Sequence, residues 1–191
     1  MLKNIIPSKA RRKILELFFQ NINNNYYLRK IVRDISEEVN AVKRELDILS
    51  KEKVLHKEKR LNKIFYSLNR NYQFYDEFLR IFTKTGILPS LIIKNYPKIG
   101  KVKYIALSTK FAKKIPIKEE EIYLLLVGTI VVPEITGIVA EAEKAFGREI
   151  NYTVMTEDEF GFRKKNNDPF IWRFLKQPKI MLIGAEEELL K

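Results

Sequence analysis

The chain has 191 residues, 46% hydrophobic and 12% aromatic, enough for two small domains with real cores and too apolar for global disorder. It has no cysteine and one histidine, His56, which excludes disulfides, thiolate zinc sites, a cysteine nucleophile and any multi-histidine metal site. Of the net charge of +12, residues 1–70 supply +9, with 17 Lys+Arg against 8 Asp+Glu; a basic excess confined to one module is the footprint of a polyanion-binding unit.

In chain order, Ser8 is expected to cap a helix over Ala10 to Ile22, with Ile14, Leu15, Leu17, Phe18 and Ile22 as its apolar stripe. Asn21 to Asn25 reads as a polar turn. A short second helix follows from about Tyr27 to Ile35, with Arg29 near its start. Ser36 is expected to cap a third helix, with Val39, Val42, Leu46 and Leu49 facing the core. That spacing turns Asn40, Lys43, Arg44 and Asp47 outward. From Val54 the period changes to strands, VLHKEK and IFYSLN around a turn at RLNK. The hairpin carries Lys57, Lys59, Arg60 and Lys63, and His56 reads as a surface side chain.

Three helices and a basic hairpin suit duplex DNA. A helix fits the major groove, amide and guanidinium groups on its outer face reach base edges, and a cationic hairpin can lie along the phosphate backbone or probe the minor groove. Lys43 and Arg44 also have a plainer reading as solvated charges.

The stretches SKARRKILELFF, LRKIVRDI, VNAVKRELDIL and IFYSLN resemble an arsenic-repressor-like winged helix-turn-helix, in particular a group fused to a nucleotidyltransferase-like domain. The resemblance covers nearly all of residues 8–70 and is most specific in VNAVKREL, which it implies is the recognition helix. It implies a transcription regulator that binds double-stranded DNA through Arg29, Asn40, Lys43, Arg44, Lys57, Lys59, Arg60 and Lys63. The metal-sensing cysteines of some relatives are absent, so metal sensing is not implied.

Residues 71–99 are expected as connecting or dimerisation helices: an aromatic-rich helix through Phe78, Leu79, Ile81 and Phe82, a break at Gly86 and Pro89, and a piece over Ser90 to Lys94. A homodimer would add affinity and operator length.

Residues 100–191 alternate strands and helices: KVKYIALS, EIYLLLVG, a helix from Glu134 to Phe146 stopped by Gly147, EINYTVMT, a capping box at Thr156 to Glu159, a helix opening at Asp168-Pro169, and KIMLIG. The expected class is α+β, a winged helix-turn-helix joined by helices to a small α/β domain. This order and sequence resemble the minimal nucleotidyltransferase fold, whose active members carry a Gly-Ser motif, an Asp-x-Asp motif and a third carboxylate that hold two divalent cations. On that pattern the Gly-Ser position falls near Leu107-Ser108, the aspartates on Glu121 and Tyr123, and the third carboxylate on Asn151. Two of three carboxylates are missing, so the resemblance implies a catalytically inactive domain with no metal or cofactor, serving dimerisation, partner binding or sensing of a small-molecule or nucleotide effector. An active nucleotidyltransferase and an antitoxin-type role are the alternatives.

No Walker-type loop, G-x-S-x-G or H-E-x-x-H occurs. Glu119 to Glu121 read as a solvated loop, Arg163 to Lys165 equally as a phosphate contact or an exposed helix face, and Trp172 as core. Neither a secretory signal nor an apolar run approaching the ~20 residues of a membrane helix is found, and a cytoplasmic location is expected.

Overall fold

The computed structural model describes residues 2–191. It is an α+β structure with two small sheets, and it divides into two compact units, Met1–Thr85 and Gly86–Lys191.

In the first unit, α1 (Lys9–Gln20) begins at Ser8, whose hydroxyl accepts from the Arg11 amide. Ile14, Leu15, Phe18 and Phe19 form its buried stripe. The two-residue strand β1 (Tyr26–Tyr27), which periodicity did not announce, precedes α2 (Leu28–Ile35). The third helix, α3 (Val39–Lys51), starts later than expected. Ser36 is not its cap but the left-handed residue that terminates α2, at φ 51°. Glu38 caps α3, its carboxylate accepting from the Asn40 and Ala41 amides at 2.9 and 2.8 Å. A negative charge at the positive end of the helix dipole suits that position. Starting the helix at Val39 leaves Val39 44% exposed rather than in the core, while Val42, Leu46 and Leu49 are buried as expected.

Strands β2 (Leu55–Arg60) and β3 (Lys63–Leu68) form a hairpin whose last pair is Arg60 with Lys63. β1 pairs with the other side of β3, giving a three-stranded antiparallel sheet in the order β1-β3-β2. Helix α4 (Tyr75–Lys84) packs on α1, with the Tyr75, Phe78 and Phe82 rings 5.3 to 5.8 Å from that of Phe19. The segment 71–99 is therefore shared: α4 lies in the first unit, and α5 (Ile87–Lys94) and α6 (Tyr96–Ile99) in the second. Pro89 does not break α5. It sits in the first turn, where no intrahelical amide bond is lost.

The second unit is a four-stranded mixed sheet in the order β6-β5-β4-β7. Strand β4 (Gly100–Ser108) pairs antiparallel with β5 (Leu124–Ile130) and β7 (Lys179–Ile183), and β5 runs parallel to β6 (Tyr152–Met155). The short helix α7 (Thr109–Ala112) follows β4, and α8 (Val132–Phe146) makes the crossover from β5 to β6. Leu124 and Leu126 meet Ile135, Ile138, Val139 and Ala142 of α8 on one face. Leu125 and Val127 meet Phe160, Ile171, Phe174 and Leu175 on the other, from α9 (Glu157–Lys165) and α10 (Pro169–Leu175). A strand covered on both faces has no polar alternation, which explains the continuous LLLV run. The last helix is α11 (Glu186–Leu190).

Glycine is required in the sheet at Gly100 and at Gly128, where a β-carbon would in each case lie 2.3 Å from a carbonyl oxygen. Gly128 has φ 143°, and a β-carbon there would lie 2.3 Å from the Lys101 carbonyl oxygen, beside the β4 bulge between Val102 and Tyr104. No helix among the described residues is long and apolar enough to cross a membrane.

Candidate functional site

Asn40, Lys43, Arg44, Asp47, Ile48 and Lys51 line one shallow groove along α3. They fall at i, i+3, i+4, i+7, i+8 and i+11, one continuous helix face. Asn40, Lys43 and Arg44 are exposed, and among the described residues no ion pair engages Lys43 or Arg44. The opposite face carries Val42, Leu46 and Leu49 into the core.

What holds α3 in place was not read from the sequence. Glu45 is buried on the inner stripe, 4% exposed, where its carboxylate accepts from Ser8 Oγ and Arg11 Nε, each at 2.7 Å. The α1 cap, the α1 cation and α3 are thereby tied together. A signal was present: Val42, Glu45, Leu46 and Leu49 share one helical face, so a carboxylate stands in an apolar stripe and requires partners. Just before α3, Glu37 bridges Lys9 and Lys13 of α1 at 2.8 Å each, and hydrogen bonds from these two ammonium groups hold its carboxyl below the usual range.

The hairpin cations Lys57, Lys59, Arg60 and Lys63 are all exposed. Lys57 Nζ lies 3.7 Å from Asp47 Oδ1, so its face of the hairpin, which by strand alternation includes Lys59, adjoins α3. On the other face the Arg60 guanidinium sits 5.5 Å from the Phe65 ring centroid and pairs with Glu58 at 2.7 Å, and Lys63 Nζ sits 4.9 Å from the Tyr27 ring. Rings under cationic side chains restrict their rotamers while leaving the charges in water. His56 is exposed on β2, and Arg29 is exposed in the first turn of α2. The first unit thus brings the predicted cations onto α2, α3 and the hairpin, all open to solvent.

In the second unit, Ser108, Tyr123 and Asn151 lie side by side at one end of the sheet. The Ser108 amide donates to the Tyr123 carbonyl at 2.7 Å, and the Tyr123 amide to the Asn151 carbonyl at 2.8 Å. Glu121 is not a solvated loop residue: it accepts from Lys110 Nζ at 2.7 Å, Gln177 Nε2 at 3.1 Å and the Lys118 amide at 3.1 Å. The Lys110 ammonium foremost, then the Lys118 amide, holds its carboxyl below the ordinary value. The Tyr123 hydroxyl donates to the Ile115 carbonyl at 2.9 Å, and its ring packs edge-on to Phe111. The Arg148 guanidinium covers both rings, at 5.2 and 4.9 Å.

These groups do not fit a pair of divalent cations. The one carboxylate is already neutralised by Lys110, the neighbouring positions offer a phenol and an amide, and a guanidinium lies over the phenol ring. Among the described residues no group of three or more His, Asp or Glu side chains is arranged to hold a metal. Arg163 and Lys164 are also committed, Arg163 to Glu159 and Asp168 and Lys164 to the Leu189 carbonyl. Trp172 is half-buried, its indole donating to the Lys164 carbonyl at 3.0 Å. No protein-family model, curated protein or solved structure matches the chain.

Proposed function

We propose that the chain is a DNA-binding transcription regulator. Residues 1–70 act as a winged helix-turn-helix, and residues 100–191 are a nucleotidyltransferase-like domain without catalytic activity. One observation carries the reading: Asn40, Lys43 and Arg44 share the single solvent-facing stripe of α3, beside a hairpin whose four cations are all exposed, in the module that holds most of the net charge. The short turn between α2 and α3 and the order of three helices followed by a hairpin support it. In this reading α3 enters the major groove, where Arg44, Lys43 and Asn40 reach base edges, while Arg29, Lys57, Lys59, Arg60 and Lys63 meet phosphates. The second domain serves homodimerisation, partner binding or response to a small-molecule or nucleotide effector. The Lys110–Glu121 pair and the Tyr123 hydrogen bond, which occupy the positions a metal-dependent transferase needs, favour this over an active enzyme.

Selection of bound duplexes from a random pool by the full chain tests the proposal. Enrichment of a motif, as an inverted repeat with half-sites about one helical turn apart for a dimer, is the expected result. Absence of any retained duplex overturns it.

A further inference from the structure

The tip of the β2–β3 hairpin contains a residue that folding does not explain. Leu61 and Asn62 form the two-residue turn between Arg60 and Lys63. Leu61 has φ 52°, and Asn62 is not left-handed. A positive φ on the first central residue alone is the arrangement for which two-residue hairpin turns favour glycine, and a leucine β-carbon is disfavoured there. Packing does not compensate, because Leu61 is 96% exposed, the most exposed large apolar side chain described. Its neighbour Ile64 is also exposed.

The surroundings of the tip are cationic and pre-oriented. Arg60 and Lys63 leave the same face, each beside an aromatic ring, Phe65 and Tyr27 respectively. Lys59 projects from the opposite face. Leucine therefore stands at the apex with positive charge on both sides. Arg60 shares its charge with Glu58, but that pair is exposed and worth little in water, so a phosphate can compete for it.

We propose that Leu61 is an apolar wedge that the hairpin presses into the minor groove of duplex DNA, partly unstacking a base step while Lys59, Arg60 and Lys63 hold the flanking phosphates. The groove is about 6 Å wide, lined by sugar edges and walled by phosphate, which matches one branched aliphatic group between cations. A lipid surface would need a broader apolar face than one leucine provides. The wedge favours flexible pyrimidine–purine steps, so it adds sequence preference outside the bases read by α3. This inference rests on the DNA-binding reading above.

The test uses the full chain and a duplex retained from the random pool, with 2-aminopurine placed in turn at the steps flanking the enriched motif. The wild type is expected to raise fluorescence at one step. Leu61→Gly should abolish that rise and weaken binding roughly tenfold, the loss of one buried aliphatic side chain. It should leave the salt dependence unchanged, since no charge is removed, and keep or raise the thermal midpoint, because glycine accepts the turn conformation. Leu61→Met should retain both binding and fluorescence. Unchanged affinity in Leu61→Gly, no fluorescent step in the wild type, or an affinity loss that tracks a lowered thermal midpoint each overturns the wedge. The first two leave the DNA-binding reading standing; a wild type that binds no duplex removes both.

Discussion

Replacing Glu45 by alanine should loosen the helix that carries the candidate DNA-reading face. The carboxylate accepts from Ser8 Oγ and Arg11 Nε, both at 2.7 Å, with its own side chain 5% exposed and that of Arg11 38% exposed. Breaking a fully buried ion pair costs about 3–5 kcal/mol. Arg11 can rehydrate in place, and a net hydrogen bond to a charged group is worth about 1.5–3 kcal/mol, so the loss here should be near 2 kcal/mol. For a unit of this size that corresponds to roughly 10 °C in midpoint. Urea unfolding followed by far-UV circular dichroism measures it, with Trp172 fluorescence as a separate reporter of the second unit. Arg11→Ala should cost at least as much, because it leaves a carboxylate buried without its cation. A double-mutant cycle should give a coupling of about 1 kcal/mol or more between the two. Additive losses, or a Glu45→Ala cost below about 0.5 kcal/mol, would refute the reasoning, since that is the range of an ordinary surface substitution.

Three further outcomes are expected. Arg44→Ala or Lys43→Ala should weaken binding to the selected duplex by about 1–3 kcal/mol and relax preference at one position while sparing random duplex, as titrations on both would register. The Glu121 carboxyl, held below its ordinary 4.5 by Lys110, contributes stability that is full above that value and lost as pH falls through the depressed folded value. The urea midpoint reported by Trp172 should therefore fall as pH drops below the ordinary 4.5, and Glu121→Gln should remove part of that slope. Gly128→Ala combines a positive φ with a 2.3 Å approach to backbone; it should destabilise by well over ~1 kcal/mol, visible as a lowered thermal midpoint.

Period and punctuation made most elements legible. The 3.6-residue stripe of α1, the switch to alternation at β2 and the continuous apolar run of β5 each reflect which faces are covered. Asp168 caps α10 as its sequence suggests, accepting from the Phe170 and Ile171 amides. Thr156 performs only half of its box: it accepts from the Glu159 amide, but the Glu159 side chain turns to Arg163 instead. The α3 start differs from expectation because Ser36 is the favoured cap type, yet its left-handed turn ends α2 and the cap role passes to Glu38. β1 has no signature in the sequence because two residues carry no periodicity; it exists through pairing with β3, about forty residues away. Outward residues of α3 follow from helical spacing. The partners of Glu45 and Glu121 do not, because both sites are assembled by long-range contacts.

The most direct test of the central claim is the affinity of the full chain for a labelled duplex across a salt series, by fluorescence anisotropy. Seven exposed cations stand on the proposed interface, Arg29, Lys43, Arg44, Lys57, Lys59, Arg60 and Lys63. Each phosphate contact contributes about −0.9 to the slope of log affinity against log salt, so engagement of even half of them predicts a slope near −3 or steeper. Combined replacement of Lys59 and Lys63 by alanine should flatten it by about 2. No binding at low salt, or a slope unaffected by those replacements, would contradict the assignment of α3 and the hairpin as a DNA-binding surface.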